Sequence, residues 1–166
     1  MTRHNMKITF IQTGGSIDKD YPKVTGGYSF EIGEAAVKRI LEKFKPNFEF
    51  EIVPLIRKDS MDMTDGDREI IREACKKAGN KIIITHGTDT MLETAENLIG
   101  IDNKVIILTG AMKPERFKNS DAAFNIGTAI GAVNVLENGV YIAMNGRVYP
   151  WNKVTRDMET GKFIEK

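Results

Sequence analysis

Apolar positions in this chain follow two periods in alternation, and that alternation predicts the order of elements. Lys7 to Gln12 is a short run with β-branched and aromatic residues, read as a first strand ended by Thr13-Gly14-Gly15-Ser16. A polar, glycine-containing loop follows from Asp18 to Tyr28. Between Gly33 and Phe44 the period becomes helical, with Ala36, Val37, Ile40, Leu41 and Phe44 on one face. Phe48 to Val53 alternates apolar with acidic residues, a half-exposed strand that Pro54 should close. Thr64 caps a helix that turns Ile70, Ile71, Ala74, Cys75 and Ala78 inward and stops at Gly79. Lys81 to Thr85 and Val105 to Thr109 are continuous apolar or branched runs, which suit strands covered on both faces. Between them Met91, Ala95, Leu98 and Ile99 stripe a helix whose start has capping-box spacing, Thr90 with Glu93. Ser120 caps another helix with Phe124, Ile126, Ile130 and Val133 inward. Val140 to Met144 is the last parallel candidate. Asn145-Gly146 is a two-residue hairpin signal that should fold Arg147 to Tyr149 back at the sheet edge.

Regular alternation of strand and helix implies an α/β fold: a layered, mostly parallel sheet with helices on both faces and an antiparallel edge hairpin. With 166 residues and 41% hydrophobic content, one domain spanning 1–166 is expected. No internal repeat or linker divides it. Lysine and arginine number 24 against 23 acidic residues, a net charge of +1 that gives no reason to expect nucleic acid or a membrane surface as partner. No apolar run approaches bilayer length. Cys75 is the only cysteine, which excludes an internal disulfide and fits a reducing cytoplasm. The first residues lead straight into a strand, with no signal-peptide apolar region. Histidines and cysteines form no cluster that could hold a metal ion.

The chemistry gathers where strands stop. In Ile82-Ile83-Ile84-Thr85-His86-Gly87-Thr88-Asp89-Thr90, a buried run gives way to hydroxyls and a carboxylate just before a helix. That crevice is where open α/β sheets bind ligands, although these side chains could equally serve to cap the helix. Thr13-Gly14-Gly15-Ser16 ends another strand in the same way. Its glycines allow sharp turning and close backbone approach, but the spacing matches no dinucleotide fingerprint, and no lysine stands where a P-loop needs one. A hydroxyl at a strand end, beside main-chain N–H groups, suits nucleophilic attack on a carbonyl. Taken alone, Thr13 reads as a turn hydroxyl bonded to its own backbone. The two segments together, joined on one rim by Asp59 to Asp62 and Thr109 to Met112, point to an enzyme. His86 reads as a hydrogen-bonded structural histidine.

Read in sequence, these segments resemble the bacterial-type L-asparaginases and glutaminase-asparaginases. Ile11-Gln12-Thr13-Gly14-Gly15-Ser16-Ile17 is similar to that family's first threonine motif, and Ile84 to Met91 to its second. Leu108 to Pro114 with Ser120-Asp121 and Asn125 resembles its third conserved stretch, and Ser60-Met61-Asp62-Met63 its substrate loop. The resemblance implies the family's N-terminal, Rossmann- or flavodoxin-like domain. It also implies hydrolysis of L-asparagine to L-aspartate and ammonia through a threonyl acyl-enzyme, chemistry that needs neither metal nor organic cofactor. Thr13 would attack the side-chain amide. Thr88 would lie beside that amide, activated through a relay that includes Asp89. Asp89 would also hold the substrate's ammonium, and Ser60 its carboxylate, with Met61 and Asp62 beside it. Main chain at Gly14, Gly87 and Ala111 would surround the amide. Tyr28 matches the family's loop tyrosine, with Tyr21 as the alternative.

Three departures shape the expectation. Arg156, in Val154-Thr155-Arg156, stands where the family has a lysine; it can hold Asp89 but cannot act as a neutral base, and Lys153 is the possible substitute. Met61 replaces a glutamine beside the loop serine. The chain also stops soon after Arg156, where most members continue into a second domain. The tail Gly161 to Lys166 resembles that of single-domain members, implying a natural short form with a more open site. Family members assemble as dimers or tetramers, so a homodimer acting on a small amino-acid amide is expected. Arg156 and Met61 also motivate a second reading, a catalytically weak or inactive amino-acid-binding sensor or regulatory module. A third reading is the amidase component of a larger amidotransferase.

Overall fold

A computed structural model of the chain describes residues 5–22 and 30–166. Its centre is a six-stranded sheet of β1 (Lys7–Gly14), β4 (Glu49–Lys58), β5 (Lys81–Thr85), β6 (Val105–Thr109), β7 (Gly139–Met144) and β8 (Arg147–Pro150), in the order β4-β1-β5-β6-β7-β8. All neighbouring pairs are parallel except β7 with β8. The antiparallel pair turns at Asn145-Gly146, both at positive φ, as the hairpin signal predicts.

Helices α1 (Ala36–Phe44), α2 (Asp65–Lys77), α3 (Met91–Asn97) and α4 (Ala122–Val135) cover the two faces. Because side chains alternate along a strand, each buried strand feeds both layers. Ile8, Phe10, Ile83 and Ile107 join α1 and α4 in one core. Ile11, Ile82, Ile84, Ile106 and Leu108 join α2 and α3 in the other. Cys75 lies fully buried in that second core, where desolvation pushes its thiol up to about 12.

Several expectations need correction. The sheet does not lose β4 at Pro54, which pairs with Gln12 while the strand runs on to Lys58. β4 is an edge strand, so a residue without an N–H is tolerated there. The segment after Ser16 is not all loop: β2 (Lys19–Asp20) pairs antiparallel with β3 (Glu31–Ile32). Thr90 and Glu93 form no capping box. Thr90 instead donates to the Ser60 carbonyl at 2.9 Å, and Glu93 pairs with Arg68 at 3.1 Å. Phe44, Ile70, Ile99 and Phe124 are exposed, not inward-facing. Each sits at the margin of its apolar stripe, where period alone overestimates the buried arc. Beyond the sheet, β9 (Val154–Arg156) pairs antiparallel with β10 (Phe163–Glu165).

Candidate functional site

Four of the parallel strands, β1, β4, β5 and β6, end on one edge, and the chain departs from β1 to opposite sides. β1 leads through α1 to β4 on one flank, while β5 lies on the other. The crevice between the ends of β1 and β5 is therefore the topological switch point of the sheet.

Glycine packing draws the strand ends together. Gly15 has φ +85, and a β-carbon there would overlap the backbone of Gly87. Gly87 in turn sits against Ser60, whose Cβ and Oγ would lie 2.6 Å from any side chain placed on it. Only glycine permits both approaches. Ser16 and Thr88 each follow directly on this Gly15–Gly87 contact. Both are half-buried, and neither hydroxyl has a hydrogen-bond partner among the described residues.

Thr13 differs sharply. It is fully buried, and its Oγ1 donates to the Thr85 carbonyl at 2.7 Å, tying β1 to the end of β5. Its hydroxyl is committed inside the sheet, and the half-exposed hydroxyl of the Thr-Gly-Gly-Ser turn is that of Ser16. Sequence reasoning passed over Ser16 because both hydroxyls lie in one motif. No local signal separates the two, because the burial of Thr13 comes from the pairing of β1 with β4 and β5.

Asp89 is exposed, with its Oδ1 2.6 Å from Nη1 of Arg156. Arg156 is delivered by β9 and steadied by an Nε donation to the Gly161 carbonyl at 3.2 Å. Arg156, and not the exposed Lys153, reaches Asp89.

Ser60 lies in a 3-10 turn, Ser60–Asp62, that the Asp59 side chain caps by accepting from the Met61 amide at 3.1 Å. Its Oγ is buried without a hydrogen-bond partner, whereas Met61 and Asp62 are exposed. Gly14 lies at φ +107 against Lys58. Ala111 is buried, next to Gly110, which packs on the His86 carbonyl. Asp121 accepts from the Met112 and Lys113 amides at 2.9 and 3.0 Å, and Asn125 Nδ2 donates to Gly110 O at 2.9 Å, so the β6 end is also held. Tyr28 lies outside the described residues. Tyr21 is exposed and stacks near Phe30, 5.0 Å between ring centroids.

His86 is a structural residue. Burial drives its pKa down to about 4, against the raising effect of its bond to Gly87 O. Nδ1 lies 2.7 Å from that carbonyl and must donate to it, so Nε2 accepts from Thr94 Oγ1 at 2.7 Å. The ring thereby orients the Gly87 peptide.

Fold and rim together define an open α/β domain with its hydroxyls and carboxylate at the switch point. Residues 7–163 match the family model described as asparaginase, N-terminal, and the chain belongs to that family. It is 30% identical to the probable periplasmic L-asparaginase of Haemophilus influenzae, covering 92% of this chain and 47% of that relative. A shorter match, 98 residues at 34% identity, is to the glutaminase-asparaginase of Acinetobacter glutaminasificans, covering 55% of this chain and 30% of the relative. Among solved structures, the thermostable L-asparaginase from Thermococcus kodakarensis superposes with a TM-score of 0.83 at 26% identity, covering 96% of this chain and 51% of that one. The chain spans about half the length of its long-matching relatives.

Proposed function

We propose that this chain is an amidohydrolase domain that converts L-asparagine to L-aspartate and ammonia through an acyl-enzyme, with Ser16 as the attacking residue. The observation that carries this reading is the Gly15–Gly87 contact, from which the free hydroxyls of Ser16 and Thr88 both emerge. In the reaction, Ser16 Oγ bonds to the side-chain amide carbon while its proton passes to Thr88 Oγ1, and the Thr88 hydroxyl proton passes in turn to the neighbouring Asp89 carboxylate. The C–N bond then breaks, and the nitrogen leaves as ammonia after taking up the same proton, returned through Thr88. Water opens the resulting seryl ester, releasing aspartate and restoring the Ser16 hydroxyl. Thr13 becomes the residue that holds the end of β1 against β5, so the ester forms three positions further along than the motif alone suggests. The unpartnered Ser60 Oγ suits the substrate carboxylate. Asp89 can bind the ammonium while Arg156 holds its other side; as a permanent cation Arg156 orients and takes no proton.

The test is ammonia release from asparagine by the pure chain. Ser16→Ala should lower kcat by about 10³-fold or more, whereas Thr13→Val should retain most of it. Wild-type release no greater than that of Ser16→Ala would reject the hydrolase. Loss in Thr13→Val with Ser16→Ala spared would return the attack to Thr13. The Asp89–Arg156 pair favours one other reading, an amino-acid-binding module without turnover. Saturable asparagine or aspartate binding by calorimetry with no ammonia released would establish it. We further propose a homodimer as the working form, since α4 carries no charged residue and exposes Phe124 and Val135.

A further inference from the structure

The buried carboxyl of Asp18 has no part in the reaction above, yet it lies two residues beyond Ser16. Its Oδ1 accepts from the amide of Ala36, the first residue of α1, at 2.8 Å. Its Oδ2 accepts from Nε2 of Gln12, in β1, at 3.2 Å. The main chain is engaged as well: the Asp18 amide donates to Gly15 O at 3.2 Å, and its carbonyl accepts from the Gly33 amide at 2.9 Å. Gln12 Nε2 completes the ring with a second donation, to Gly33 O at 2.8 Å. One residue thus joins the end of β1, the turn that carries Ser16, the segment after β3 and the start of α1.

We propose that Asp18 is a positioning residue for the Ser16 hydroxyl, fixing the Gly15–Asp18 turn through the two hydrogen bonds its ionised carboxylate accepts. The inference rests on Ser16 being the attacking group. Both side-chain partners of Asp18 are donors, so the ring is complete only while both carboxylate oxygens accept. A proton on either oxygen turns an acceptor toward a donor. Gln12 could answer by rotating its amide, since its Oε1 is buried without a hydrogen-bond partner. That rotation would aim Oε1 at the Gly33 carbonyl and break the second bond. Neutral Asp18 therefore holds the ring more weakly, since its hydroxyl oxygen is a poorer acceptor than a carboxylate oxygen.

Burial pushes the Asp18 carboxyl up to about 6, opposed by the Ala36 and Gln12 bonds and by the charges of Arg39 on α1 and Arg57 on β4. The hairpin contributes the acidic Asp20 and its cross-strand partner Glu31, and Arg116 engages Asp20 at 2.9 Å. Weakening of the ring thus falls within a mildly acidic range.

The experiment follows the backbone amides of Ser16, Gly33 and Ala36 by NMR from about pH 4.5 to about 8, in the whole chain and in Asp18→Asn, with asparagine hydrolysis measured alongside. In the wild type the three amides should move together with a midpoint near 6, and kcat should fall on the acid side of the same midpoint. Asp18→Asn should show neither inflection. At about pH 8 it should lose roughly ten- to hundredfold in kcat, with KM changed by less than about threefold. A merely structural role would lower thermal stability without that split. Where Asp18→Asn fails to fold, Gln12→Leu, which keeps the Ala36 bond, serves in its place: its kcat at about pH 8 should fall below that of the wild type with KM changed by less than about threefold, and wild-type kcat there would overturn the proposal. A Ser16 amide that stays flat while Ala36 titrates would overturn the proposal, as would wild-type kcat in Asp18→Asn. If the wild type releases no ammonia, the hydrolase reading falls separately, and the Ser16 titration alone decides whether the charge of Asp18 reaches that residue.

Discussion

Thr13 and Ser16 carry the same functional group three positions apart, and their surroundings separate them. A hydroxyl sealed inside the sheet and bonded to Thr85 O contributes stability, typically about 1 kcal/mol for a neutral bond. Thr13→Val should accordingly cost about 1–2 kcal/mol in urea unfolding while sparing turnover relative to Ser16→Ala. Two buried titrating groups act in opposite directions. Between about pH 6.5 and 4 the unfolded chain binds a proton at His86 that the folded chain refuses, so stability is lost as pH falls. Between about 6 and 3.8 the folded chain holds a proton on Asp18 that the unfolded chain releases, so stability is gained as pH falls and lost as it rises. Each effect is on the order of 3 kcal/mol, and they largely offset one another. Asp18→Asn removes the second alone, so its stability should fall more steeply below about pH 6 than that of the wild type. A parallel pair of pH–stability curves would contradict this.

Elements are joined here chiefly by close backbone approach. Gly87→Ala would drive a methyl group into Ser60, 2.6 Å from its Cβ and Oγ, and should destabilise the chain by roughly 1–3 kcal/mol. Ser60→Gly in the same chain removes the obstructing atoms and should recover part of that loss, a coupling that a double-mutant cycle measures directly. α2 illustrates an ordinary helix start. Thr64 Oγ1 accepts from the Asp67 amide at 3.2 Å, and Asp67 Oδ2 accepts from the Thr64 amide at 2.9 Å. Lys58, donating to the Asp67 carboxylate, holds its pKa below the usual range, with the Thr64 amide assisting. Thr64→Ala should cost about 1 kcal/mol by thermal unfolding with little effect on turnover. Thr90, at a similar position on α3, does a different job by donating across to Ser60 O and fastening the β5 end to the Ser60–Asp62 turn.

At the scale of the molecule, β9 reaches the strand-end rim through the Arg156–Asp89 pair. α4 presents Phe124 at 63% and Val135 at 81% exposure, and carries no charged side chain from Ala122 to Val135. A surface helix without a charged face is ordinarily covered. Sedimentation at micromolar concentration should give a dimer for the wild type and a monomer for Phe124→Glu. A wild-type monomer would remove the dimer from the account. Among the described residues no helix is long and apolar enough to cross a membrane.

Periodicity was enough to mark the central strands, the helices between them and the Asn145-Gly146 hairpin, though not the run of β4 past Pro54 to Lys58, because each of the former depends on neighbours a few positions away. It also marked the two hydroxyl-bearing turns, since glycines and polar residues interrupt apolar runs abruptly. Burial at the ends of those runs was beyond its reach. Whether Thr13 or Ser16 faces the crevice depends on how far β1 stays paired with β4 and β5, and those partners are distant in sequence. The same holds for Arg156, which reaches Asp89 from 67 positions away, and for Asp18 and Gln12, whose polar side chains look like loop and strand-end residues until folding seals them in. Local pattern is set by side-chain direction along one backbone; the identity of a reacting atom is set by which distant backbones exclude water from its neighbours.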